Sequence, residues 1–169
     1  MKNNNKFANR LDAVSVATGR IAAWLTFLMV LVTVVIVVLR YIFDLGFIWL
    51  QESLIGLHAA VFMLGAAYTL QQDEHVRVDI FYRGASRRYK ARVDFWGTAV
   101  FLIPVLALLW VYGLPYVVNS WAELEGSIET GGLPAVFLLK TLILFAAATL
   151  SLQAVALLLR SWLTLREAS

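Results

Sequence analysis

The sequence predicts an all-α integral membrane protein, with four transmembrane helices and both termini on the cytoplasmic side. Three observations carry the fold class. Of the 169 residues, 61% are hydrophobic and only 15% charged, with a mean hydropathy of +0.77. A soluble domain usually carries about 25% charged residues. Four stretches without Asp, Glu, Lys or Arg have spanning length: 21–39 with 19 residues, 53–72 with 20, 95–122 with 28 and 141–159 with 19. Roughly 20 apolar residues cross about 30 Å of hydrocarbon, so each can span. None alternates with period 2 as a barrel strand would, and helices satisfy their own backbone hydrogen bonds in lipid. Residues 1–169 therefore read as one four-helix membrane domain.

The first helix is expected over about 15–43. Its centre, IAAWLTFLMVLVTVVIVVL, offers only Thr26 and Thr33 as polar groups. The absence of a carboxylate there argues against a small multidrug exchanger, which needs one in its first helix. The run exits into RYIFDLGF, with no small-residue cleavage pattern, and so reads as a retained helix rather than a signal peptide. The second helix is expected over about 48–72 and carries His58 together with Gly56 and Ala60, small residues four apart that permit close helix approach. The third, over about 90–119, contains Pro104 and Pro115, and proline kinks are common in membrane helices. The fourth, over about 132–162, carries Lys140, the small pair Ala147 and Ser151, and Gln153 as a deeper hydrogen-bonding group. Trp49, Trp121 and Trp162 fall near predicted helix ends, as interfacial belts require.

Charge orients the chain. Residues before the first hydrophobic run, the polar island 71–94 and the tail after Leu159 together hold 12 of the 14 Lys and Arg; only Arg40 and Lys140 lie elsewhere. By the positive-inside rule the loop 73–89 is cytoplasmic, and the loop 120–131, with Glu123, Glu125 and Glu129 but no basic residue, is periplasmic. In a bacterium this places the protein in the inner membrane as a multi-pass chain. The pI near 9.4 then reports topology and contact with anionic lipid headgroups. A nucleic-acid partner would need a folded basic surface, and a 24-residue island cannot build one.

Candidate chemistry is sparse. No cysteine is present, so disulfides and thiolate metal sites are excluded. His58 and His75 could mark a haem- or quinone-binding anchor of a respiratory oxidoreductase, but 17 residues put them about 25 Å apart along a helix, too far to share one iron within a chain. The bland reading of His58 is a hydrogen bond across a helix interface. Lys140 lies six residues beyond Pro134, about 9 Å into its helix. It can snorkel to the interface, or pair with Glu125, Glu129 or a carboxylate on a partner. Arg40, Asp44 and Glu52 share one end by topology, either as a small ion-pair network or separately in headgroups. The alternation His75, Val76, Arg77, Val78, Asp79, Ile80 would, if extended, turn polar and apolar side chains to opposite sides. Catalysis by His75 with Asp79 lacks a pocket and a nucleophile. No cofactor is expected, and a small membrane chain without a catalytic set reads as a subunit of something larger.

The stretches RYIFDLGFIWLQESL, GAAYTLQQDEHVRVDIFY and EGSIETGGLPAVFLLKTL, running from about Arg40 to Leu159, closely resemble the small (Q-type) membrane subunit of tripartite ATP-independent periplasmic (TRAP) transporters. His-Val-Arg-Val-Asp after the second helix is the most specific part. The resemblance implies a non-catalytic subunit that braces a large M-type membrane subunit. In that family a periplasmic binding protein delivers an organic acid, and the large subunit takes it inward with sodium. It places Arg40, Tyr41, Trp49 and Glu52 on an outer-face motif, His75, Arg77 and Asp79 on an inner one, and Lys140 at a branch-specific lysine.

Overall fold

The computed structural model describes residues 6–74, 82 and 84–167. Within them the chain is all-helical: α1 (Lys6–Ile42), α2 (Ile48–Gln72), α3 (Arg87–Ala122) and α4 (Val136–Glu167). All four are long and apolar enough to cross a membrane.

α1 and α2 form a hairpin through residues 43–47. Asp44 takes the left-handed conformation there, with φ 54°, and the Leu45 amide donates to the Leu39 carbonyl at 2.9 Å, closing the end of α1. α4 is the hub. It packs against α1, α2 and α3, whereas α3 packs against α4 alone among the described helices.

The buried apolar residues are mostly small: Ala8, Ala22, Ala60, Ala67, Ala91, Ala147, Ala154 and Ala156, with Leu106 and Val117. Large side chains such as Trp24, Phe62 and Phe101 point outward. Lipid is as apolar as leucine, so helices associate through close packing and hydrogen bonds rather than by hiding large side chains. Gly19 shows how close the approach is, since a Cβ there would sit 2.6 Å from the Tyr68 ring. Of the small pairs expected at contacts, Ala60 and Ala147 are buried, Gly56 faces Leu139 of α4, and Ser151 accepts a hydrogen bond from Trp110 Nε1.

A polar seam joins α1 to α4. Asp12 and Ser15 lie three residues apart on one face of α1, and Gln153 and Arg160 lie seven apart on one face of α4. Ser15 Oγ donates to Gln153 Oε1 at 3.1 Å, and Arg160 pairs with Asp12. With these partners α1 already includes Lys6, well before the start near 15 that hydrophobicity alone predicts. α4 starts at Val136 rather than near 132, because the backbone of Gly132 and Leu133 is engaged in loop hydrogen bonds. In α3 residues 98–102 form a π-turn, with Ile103 N donating to Thr98 O. Pro104 has no N–H to offer the carbonyl of Val100, and widening the preceding turn accommodates that loss. Because α3 touches only α4, a groove of about 840 Å³ remains between α2 and α3, floored by α4.

Candidate functional site

Among the described residues, the charged residues that the sequence singles out converge at the end of the bundle that carries the 43–47 turn and the 123–135 loop. Glu52, one turn into α2, reaches across to that loop. Its carboxylate accepts from the Ser127 hydroxyl and, at 2.6 Å, from the Leu133 amide. The two contacts hold opposite ends of a small hairpin-like loop, whose own backbone is closed by Ser127 N donating to Leu133 O at 2.9 Å. Glycines make this geometry possible. Gly131 takes φ +80°, and a Cβ on Gly132 would lie 2.8 Å from Glu52 Oε2.

A second carboxylate secures the same loop from the other side. Glu125 Oε2 accepts from the Ser120 hydroxyl at 2.6 Å and from Lys140 Nζ. Lys140 Nζ also lies 4.0 Å from the centre of the Tyr116 ring, a cation–π contact with α3. Trp121 Nε1 donates to Thr141 Oγ1 at 2.8 Å, and its ring packs edge-on against Phe137. Of the two readings of Lys140, pairing within the 120–131 loop is the one formed, with Glu125 rather than Glu129. The clasp thus ties α2, α3 and α4 together through a loop without regular structure.

The Glu125 carboxyl is held below its ordinary value, first by the Lys140 hydrogen bond and then by that from Ser120. A depressed folded-state pKa contributes stability above the unfolded value of about 4.5, and that stability is lost as pH falls through the folded value. Hydrogen–deuterium exchange of the 123–137 segment is therefore expected to stay slow from neutral pH to near 4.5 and to rise below it, after correction for intrinsic exchange. Glu125→Gln should shrink that step, and the Glu52 carboxyl, held below its ordinary value by Ser127 and then Leu133, supplies what remains. At neutral pH Lys140→Arg should keep the loop protected, whereas Lys140→Gln should loosen it, because only the first retains a cation for Glu125. Equal protection in both variants would show that the pair does not hold the loop.

The other candidates do not join the clasp. Tyr41 is 81% exposed, and Trp49 stands half-exposed beside Phe47. Arg40 lies beside a shallow cleft at the 43–47 turn, with no ion pair to Asp44 or Glu52 among the described residues. Of the two readings of Arg40, Asp44 and Glu52, the ion-pair network does not form among the described residues, since both Glu52 oxygens are taken by the loop. His75, Arg77 and Asp79 lie outside the described residues. No group of three His, Asp or Glu side chains that could hold a metal occurs among the described residues.

Sequence reasoning missed Ser127, Leu133 and Gly132 at the clasp, and Asp12 and Arg160 at the far end. The Gly131-Gly132 doublet was the available signal for a tight loop. Asp12, three residues before Ser15 on one helical face, was the signal for a buried seam.

The family model for the DctQ component of tripartite ATP-independent periplasmic transporters matches residues 29–164, about four-fifths of the chain. No curated protein and no solved structure matches it.

Proposed function

Because the chain belongs to the DctQ family, the small membrane component of tripartite ATP-independent periplasmic transporters, we propose that it is a non-catalytic brace. Its partner is the large M-type membrane subunit, and the task is sodium-coupled uptake of an organic acid delivered by a periplasmic binding protein. The family match carries this reading. The four apolar helices and the distribution of charge support it. No Asp, Glu, Lys or Arg lies within 21–39, 53–72, 95–122 or 141–159. Membrane proteins that move ions or carboxylates themselves place ionisable groups or broken helices at mid-membrane. This chain instead concentrates its charges at the ends, where they fix the loop and the helix register. The family match gives no support to a haem- or quinone-binding anchor.

We also propose that the protein lies in the bacterial inner membrane with both termini and the 73–89 loop cytoplasmic, and with the Glu52–Glu125–Lys140 clasp on the periplasmic face. Basic asymmetry is the support. The native chain has no cysteine, so cysteines substituted for Arg88 and for Ile128 report sidedness directly. They should label from opposite faces, Ile128→Cys from the periplasm. Labelling of both from one side would overturn the orientation.

The functional test is reconstitution. Proteoliposomes holding only this subunit should show no sodium-driven uptake, and adding the large subunit and binding protein should produce it. Uptake by the small subunit alone would refute the brace.

A further inference from the structure

The groove between α2 and α3 is lined by apolar residues such as Leu70, Phe101 and Leu157, yet Gln153 and Thr98 on its wall each keep a hydrogen-bonding group without a partner among the described residues. Gln153 is 1% exposed. Its oxygen accepts from Ser15, while its carboxamide nitrogen has no partner among the described residues. Thr98 is 4% exposed, and its hydroxyl also has no partner among the described residues. By contrast Thr26, Thr33, Thr69, Thr141 and Thr149 each return their hydroxyl to a carbonyl four residues back. Polar groups at this depth need partners, because lipid tails supply none.

Building on the transporter reading above, we propose that this groove seats a membrane helix of the large subunit, one that presents a hydrogen-bond acceptor at the level of Gln153 and Thr98. Gln153 lies seven residues, about 10 Å along α4, from Arg160 at the groove's polar end. That depth is below the headgroups, where an acyl chain offers no acceptor but a helix can offer a polar side chain or a carbonyl. Gly97 provides the close approach such a contact needs. Its missing side chain faces open space, since a Cβ at this position would have no atom of a neighbouring element within 4 Å. The free wall of α3 is thus small and polar where a helix would touch it most closely, and apolar around that point.

Gly97→Trp projects a large side chain from a position where a Cβ meets no atom within 4 Å, and Thr98→Val removes one donor while keeping the shape. Each variant is co-expressed with the large subunit and purified in mild detergent. Recovery of the large subunit, the small subunit's own melting temperature and the co-purified phospholipid are then measured. Gly97→Trp is expected to reduce recovery about tenfold or more, and Thr98→Val about threefold, the size of one interhelical hydrogen bond. The small subunit's melting should not change. A photo-crosslinker on Phe101→Cys, a groove position 73% exposed, should form an adduct with the large subunit. Undiminished recovery with Gly97→Trp, or loss of phospholipid alone, would overturn the assignment in favour of an empty or lipid-filled groove. Should Gly97→Trp lower the melting temperature, the Phe101→Cys adduct in the otherwise wild-type chain decides. If the wild-type chain retains no large subunit, the transporter reading falls as well, an outcome distinct from the loss of groove specificity.

Discussion

Arg160→Met is expected to destabilise the helix bundle by about 2–4 kcal/mol, and adding Asp12→Leu to the same chain should restore most of that loss. Asp12 is 8% exposed, and one of its carboxylate oxygens is already without a partner among the described residues. Its other oxygen depends on the Arg160 guanidinium. Removing the arginine strands a carboxylate between α1 and α4, whereas replacing both partners with apolar residues removes the charge together with the need to solvate it. Arg160 itself keeps 27% of its side-chain surface exposed, which moderates the figure for a fully buried pair. Unfolding in detergent, followed by loss of helicity, measures all three chains. A single variant as stable as wild type, or a double variant as unstable as the single, would show that the seam does not hold α1 to α4.

Why that seam escaped the sequence, while the four spans did not, has a physical explanation. A bilayer imposes one rule on every spanning segment, about 20 apolar residues with backbone bonds closed internally, and a single sequence displays it openly. Asp12 and Arg160 are 148 residues apart, and no local pattern joins an acid in one helix to a base in another. Glu52 and Lys140 were visible as charges near predicted helix ends. Their partners were visible only in part, because Leu133 contributes a backbone amide and Ser127 a hydroxyl, groups that every loop contains. Arg40 and Tyr41 stand in the same stretch as Glu52, RYIFDLGFIWLQESL, but the geometry leaves them outside the clasp. The groove between α2 and α3 was hidden for another reason: it is a missing contact, and sequence patterns report the contacts that helices make.

Glu52→Ala is expected to free the 123–135 loop while leaving the helices intact, raising exchange of the Leu133 amide about tenfold or more. Both carboxylate oxygens act in the clasp, one on the Ser127 hydroxyl and one on the Leu133 N–H. Hydrogen bonds to a charged acceptor are shorter and stronger than neutral ones. Glu52→Gln retains a single carbonyl acceptor and should fall between wild type and the alanine variant. Ser127→Ala should act more weakly than Glu52→Ala, because the Leu133 bond survives it. Gly132→Ala tests the same geometry without changing any charge, since its Cβ would intrude within 2.8 Å of Glu52 Oε2. If the loop is a docking element of the assembled transporter, uptake should fall in the order of loop protection: wild type, Ser127→Ala, Glu52→Gln, Glu52→Ala. Protection of Leu133 that is unchanged in Glu52→Ala would mean the Lys140–Glu125 pair suffices to hold the loop. Loss of protection with full uptake would mean its order serves folding rather than transport.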